Sequence, residues 1–211
     1  MKVMGPAEFL PIVFRTVFEK PIGKTGDLLF VRQGFQNPLD YEMTESFKKD
    51  IRDMLRHEGF KPTGRNKPAS EYLRKALSEM WLSPAKGINA AVDICNVVSL
   101  HSGLPISVID AQKTTGLLKI SHLPEKTIYV FNPSGQSLKG GGLLALCDGV
   151  GPSATPIKDS QRTKTDTTTT ETISIIWGHR DHTDRMEYAL SRQHDLLAKI
   201  NARISIIHGF D

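Results

Sequence analysis

Residues 89 to 110 constrain the chain more than any other stretch. Asn89-Ala90-Ala91-Val92-Asp93-Ile94-Cys95-Asn96-Val97-Val98-Ser99-Leu100-His101 is a mostly apolar run of helical length. Gly103 suits the left-handed position just past a helix end, and Pro105 cannot continue the turn. Ile106-Ser107-Val108-Ile109 then reads as a short buried strand. Asp93 and Asn96 stand three apart, hence on one side of the helix. A buried amide or carboxylate without a partner costs about 1–3 kcal/mol or more. Either Asp93 and Asn96 pin the following loop or cap a neighbouring element, or Asn96 offers its amide to a ligand in a pocket.

Around this segment the pattern changes twice. Phe9–Phe18 is rich in β-branched and aromatic residues and reads as a strand, with Pro11 confining it to an edge or a bulge. Asp27–Arg32 reads as a second short strand, followed by a turn region from Gly34 to Pro38. Phe47, Ile51, Met54 and Leu55 recur at helical spacing, placing a helix from Asp40 or Thr44 to Gly59. Another starts near Ser70, with Leu73, Ala76, Leu77 and Met80 facing inward. After Pro105, strands are expected at Ile106–Ile109, Leu117–Ile120, Thr127–Phe131, Leu143–Cys147 and Ile173–Trp177. A last helix starts near Thr183, and Arg203–Ile207 closes the chain as an edge strand. This order predicts an α+β fold, a β-sandwich or mixed sheets of unusual topology flanked by helices. The whole chain is expected to form one domain: residues 1–59 as N-terminal strands and helix, 60–178 as core, 179–211 as C-terminal helix and strand.

No run approaches the ~18–20 apolar residues a membrane helix needs, so no membrane partner is expected. The start, Met1 to Pro6, lacks the apolar core of a signal peptide, making the cytoplasm the expected address. Cys95 and Cys147 make no disulfide framework or zinc site and read as small buried residues. His179 and His182 lack further ligand spacing, so no metal or other cofactor is expected. The net charge is +4, and nine Lys or Arg lie between Lys48 and Lys75 against four acids. Such a block fits a phosphate-facing surface, with Lys61, Arg65, Lys67 and Arg74 as RNA-binding candidates, or else a solvated helical face.

Three further motifs invite comparison. Gly140-Gly141-Gly142 lacks the Lys-Ser/Thr of a phosphate loop and reads as a hairpin turn. Gly149, Val150 and Gly151 follow a strand; their N–H groups either face a ligand or make a tight turn. In Asp159-Ser160-Gln161-Arg162-Thr163, an arginine beside an aspartate either fixes a ligand anion or forms a structural pair.

Two segments carry a family likeness. Gly64-Arg65-Asn66-Lys67-Pro68-Ala69-Ser70-Glu71-Tyr72-Leu73-Arg74-Lys75 resembles a stretch Arg-Pro-Ser-x-Glu-x-Leu-x-Arg-Arg that opens a helix. Residues 92–110 resemble Val-Asp-x-x-Asn-x-Val-Ser-Leu-x-x-Gly-x-Pro followed by a strand ending in Asp, here Asp110. The family is the tRNA-binding and editing module, the third and fourth structural domains, of the phenylalanyl-tRNA synthetase β subunit, with its stand-alone bacterial relatives. The resemblance runs from about Phe60 to Gly178. It implies a pocket in which an ester wrongly attached to tRNA is hydrolysed, a second sieve after the synthetic site. Asn96 matches the family's pocket asparagine, while Gly149, Val150 and Gly151 match its pocket-lining turn. Ser107 stands where the synthetase has histidine, and an apolar residue, Ile176, falls where it has an acid that reads tyrosine.

The resemblance thus implies a tRNA or aminoacyl-tRNA partner, and an ester hydrolase if the chain is an enzyme, not an amino-acid–tRNA ligase. Asn96 and Ser107 would be catalytic; Gly149, Val150, Gly151, Ser160 and Arg162 would contact substrate. Two alternatives stay open: a binding protein for a free amino acid, and a non-catalytic module docking on a synthetase.

Overall fold

The computed structural model describes residues 1–25, 28–57, 59–79 and 87–209. In chain order the elements are β1 (Lys2–Val3), β2 (Phe9–Val17), α1 (Leu29–Gly34), α2 (Glu45–Met54), α3 (Ala69–Ser78), α4 (Ala90–Ser102), β3 (Ile106–Asp110), β4 (Lys119–His122), β5 (Ile128–Val130), β6 (Ser137–Lys139), β7 (Leu144–Cys147), β8 (Pro152–Ala154), β9 (Glu171–His179), α5 (Thr183–Ala198) and β10 (Arg203–His208). The fold is mixed α+β. One antiparallel sheet has the order β10-β2-β9-β3, a second has β1-β4-β7-β8 with β1 parallel to β4, and β5 pairs with β6.

Helix α4 follows from its own residues. Asn89 Oδ1 accepts the Val92 N–H at 3.0 Å, capping the first turn. Asp93 Oδ1 accepts the Ile88 N–H at 2.9 Å, so this carboxylate pins the preceding loop. At the other end Gly103 takes φ +78° and donates to Ser99 O at 3.0 Å, a left-handed cap that a side chain would strain. Arg185 from α5 donates to Ser102 O at 2.8 Å, satisfying a carbonyl with no partner inside the helix and complementing its negative end. The apolar residues of α4 pack against α5, α3, α1 and β3, within one continuous cluster of buried side chains.

Several expectations need correction. Residues 29–34 are a helix, not a strand; a short apolar run without alternation has no preference by period, and burial of Val31 decides its form. Helix α2 stops at Met54, before Gly59. Gly140–Gly142 joins β6 to β7, which lie in different sheets, so it is not the turn of a hairpin. Met80 lies outside the described residues. Pro11 is not in an edge strand, yet the rule behind the expectation holds. Trp177 opposite it donates to Pro105 O at 3.0 Å on the far side, so the Pro11 nitrogen faces away from β9. On that other side the described register of β10 reaches only Val13.

Gly178 in β9 is where α5 approaches the sheet. A Cβ there would stand 2.3 Å from Met186 Sδ and 2.6 Å from Leu10 O. Gly178→Ala is expected to lower stability by roughly 1–3 kcal/mol through overpacking. The urea midpoint should fall with an unchanged slope; an unmoved midpoint would contradict this packing.

Candidate functional site

Asn96, in the middle of α4, and Ser107, on β3, line one cavity of about 300 Å³. Its apolar wall is Val92 and Cys95 from α4, Ile106 and Val108 from β3, together with Ile88 and Ile157. Thr155, Lys158, Asp159 and Lys164, all from the connection between β8 and β9, supply further polar groups. The volume sits at the low end of small-molecule pockets, enough for an amino-acid-sized group.

The connection after β8 holds its shape through Thr155. The Thr155 hydroxyl donates to Lys158 O at 2.9 Å and accepts from the Lys158 N–H at 3.0 Å. Its N–H donates to Asp159 Oδ1 at 3.0 Å, fixing that carboxyl against the cavity. Tyr129 of β5 donates to Lys158 O at 2.8 Å from outside. The Ala69 N–H at the start of α3 donates to Pro156 O at 2.8 Å, and Ala69 also lines the cavity. The segments around Pro68 and around Asn96 therefore converge on the same turn.

Each polar group offers different chemistry. The Asn96 side-chain amide has no hydrogen-bond partner among the described residues, which leaves it able to bind a ligand. Ser107 is committed: its Oγ accepts the Trp177 indole N–H at 2.9 Å and donates to Thr155 O at 3.0 Å. With its proton held by a carbonyl, Ser107 is no nucleophile; one lone pair remains to orient a water or a ligand donor. Burial pushes the Cys95 thiol far up, and its Sγ donates to Ile106 O at 3.4 Å, so no reactive thiolate faces the cavity. Burial also pushes Asp159 up to about 6 from 3.8, against the opposing pull of the Thr155 and Val108 N–H groups and of Lys164. It is ionised at neutral pH, at a cost.

The remaining expected site residues lie elsewhere. Gly149 donates its N–H to Thr115 O at 2.6 Å. Val150 and Gly151 donate theirs to Asp148 Oδ1 at 2.9 and 3.1 Å. These groups are spent and cannot serve as oxyanion donors in the cavity. Arg162 pairs with Asp148, not with its sequence neighbour Asp159: two bonds of 2.9 and 2.6 Å make a bidentate clamp, and Gly151 O and Ser153 Oγ accept as well. Ser160 is buried, with its N–H on Ser153 O. All five belong to this structural staple and none lines the cavity. Arg74 points inward, donating to Tyr41 O at 2.7 Å and His101 O at 3.3 Å, so it is no surface group for RNA. Arg52 is bound to Glu71, Lys48 to Glu45 and Lys49 to Asp53, which neutralises much of the basic block. Lys61, Arg65 and Lys67 lie in the loop leading into Ala69; Lys61 and Arg65 are exposed, and burial lowers the Lys158 pKa, with repulsion from Arg65 adding to it.

Asp159 escaped sequence reasoning as a cavity group. Its closeness to Arg162 suggested a pair, and nothing local shows that Arg162 reaches back to Asp148 instead. Among the described residues no helix is long and apolar enough to cross a membrane, and no cluster of three or more His, Cys, Asp or Glu could hold a metal ion.

Asp159 gives the fold a pH signature. Its folded pKa is raised, so between about 4 and 6 the folded chain holds a proton that the unfolded chain has released. Stability therefore rises as pH falls through 6 and levels off below about 4. At neutral pH the buried carboxylate costs roughly 3 kcal/mol. Asp159→Asn is expected to melt higher than wild type at pH 7.5, with the gap closing by about pH 4. Equal melting temperatures at both pH values would contradict it. The Asp148–Arg162 clamp has the opposite sensitivity. Arg162→Ala leaves a buried carboxylate without its cation and should cost roughly 3 kcal/mol in urea unfolding; a loss under about 1 kcal/mol would show that the clamp is dispensable.

A search of curated proteins gives no match. Among solved structures, an N-terminal fragment of the phenylalanyl-tRNA synthetase β subunit from Pyrococcus horikoshii is similar to this chain, with 14% identity and a TM-score of 0.46. The similarity covers 57% of this chain and 45% of that one, less than half the fragment's length. The sequence profile of the B3/4 domain family matches residues 60–193, from within the α2–α3 loop into α5, and takes in every cavity-lining residue named above. With that match spanning more than half of its 211 residues, the chain belongs to the B3/4 domain family.

Proposed function

We propose that this chain binds the aminoacylated 3′ end of a tRNA in the cavity and hydrolyses a mischarged ester in trans, as a cytoplasmic tRNA-handling protein. The observation that carries the reading is the unpartnered Asn96 amide in an amino-acid-sized cavity of a B3/4 domain. The Asn96 amide N–H would donate to the ester carbonyl as negative charge develops on its oxygen, where a preorganised donor is worth most. The remaining lone pair of Ser107 would orient the attacking water. Lys61, Arg65 and Lys67, in the loop that runs into the cavity wall, would meet the phosphates of the acceptor end. The synthetase's tyrosine-reading acid has no counterpart at Ile176, which is fully buried in β9, so the reading does not extend to tyrosine selection.

The test is a panel of mischarged tRNAs incubated with the purified chain. Deacylation of at least one is expected, and Asn96→Ala should slow it about 10²–10³-fold. Alanine at Lys61, Arg65 and Lys67 together should weaken tRNA binding. The slope of log affinity against log salt should become shallower by about one for each phosphate left without its cation. The reading fails if no tRNA is deacylated and none is bound at low salt.

The small volume and mostly apolar wall of the cavity also favour a second reading, a free amino acid as ligand. It predicts a rise in melting temperature with an amino acid alone, as any ligand selective for the native state must give.

A further inference from the structure

Two carboxylates flank β8 in sequence, Asp148 just after β7 and Asp159 in the connection that follows β8, and they are treated differently. Asp148 is saturated, with the Arg162 guanidinium in a bidentate clamp and the N–H groups of Thr115, Val150 and Gly151 around it. Asp159 has no ion pair with a described residue. It is the acidic group of the cavity lining, and it shares that lining with the unpartnered Asn96 amide. The cations of the lining do not neutralise it: Lys158 places its ammonium 4.2 Å above the Phe131 ring, and Lys164 acts on Asp159 without a salt bridge. A partly desolvated carboxylate, an amide oxygen and the spare lone pair of Ser107 are three acceptors around one small space. An ammonium has three donors and no acceptor, the matching inventory. Beside them, Val92, Ile106 and Ile157 offer an apolar surface for a side chain.

We propose that Asp159, with Asn96, binds the free α-ammonium group of the ligand, so that the cavity accepts α-amino acyl groups and rejects N-acylated ones. The inference rests on the reading that an aminoacyl group occupies this cavity, and it names the substrate class: aminoacyl and not peptidyl or N-acetyl-aminoacyl ends. Acylation of the amine removes its charge and two of its three donors, and would leave Asp159 buried and unpaired. A site built to hydrogen-bond a group discriminates strongly against an analogue that lacks it, by contrast with a purely apolar pocket. Free amino acids carry the same ammonium, and the experiment separates the two sources.

The full chain is tested for binding to a tRNA bearing phenylalanine or tyrosine through a non-hydrolysable 3′-amide link, with the amine either free or acetylated. The free-amine form should bind at least 10-fold tighter. In Asp159→Asn this ratio should fall below about 2-fold, while affinity for uncharged tRNA stays unchanged. In parallel, phenylalanine is compared with 3-phenylpropanoate by calorimetry. Equal affinity of the wild-type chain for both amine forms overturns the inference and leaves tRNA binding intact; so does discrimination that survives in Asp159→Asn. If no tRNA form binds but phenylalanine does and 3-phenylpropanoate does not, tRNA handling is wrong and the ammonium site stands, with the free amino acid as its ligand. If neither any tRNA nor phenylalanine binds, both fall. The wild-type comparison needs no variant, so it holds even where Asp159→Asn perturbs folding.

Discussion

Trp177 carries an indole N–H into the fully buried interior of the β10-β2-β9-β3 sheet, and that donor must be satisfied without water. Ser107 on the neighbouring strand accepts it, and passes its own proton to Thr155 O. The chain of two bonds thus joins β9 and β3 to the turn that follows β8 in the other sheet. Removing any of the three groups would strand a buried polar atom, so the three segments are held in one register. That same register sets the distance between α4 and the 155–159 turn, and hence the width of the cavity.

The polar groups near the cavity divide into those that are spent and those that are not. Arg162, Asp148, Gly149 and Gly151 close on each other and rigidify the loop pair around Thr115. Arg74 and Arg185 are used on carbonyls at the C-terminal end of α4. At the cavity Asn96 and Asp159 remain, one without a hydrogen-bond partner and the other without a counter-charge among the described residues. Buried polar atoms without a partner among the described residues occur elsewhere as well, Thr16 Oγ1 and Gln193 Nε2 for example, so what sets Asn96 and Asp159 apart is that they line one cavity.

What the sequence revealed followed distance along the chain. Helix α4, its Gly103 cap and the strand after Pro105 are local patterns, and the structure shows them almost residue for residue; that Asn89 caps the helix and does not begin it was not read from the sequence. Asn96 and Ser107 come from that one segment, and they do meet at the cavity. The opposite wall comes from Thr155 to Lys164, some fifty residues on, and no local pattern tells which of its groups turn inward. Asp159 and Arg162 stand three apart and looked like partners; a long-range pairing of Arg162 with Asp148 separated them. Gly149 and Gly151 were legible as a turn, but whether their N–H groups face a ligand or an aspartate depends on the loop at Thr115. The run Leu28–Val31 illustrates a different limit, since four apolar residues in a row carry no period.

Pro11 has a consequence beyond its own strand. Among the described residues the β10 register on the outer side of β2 reaches Val13, and a sheet edge is a place where another backbone can add a strand. A proline there presents a ring where an amide donor would be needed, so an intruding strand loses a ladder bond at the point of entry. The residue that looked at first like a flaw in a central strand thus sits where its missing donor costs no ladder bond to β9.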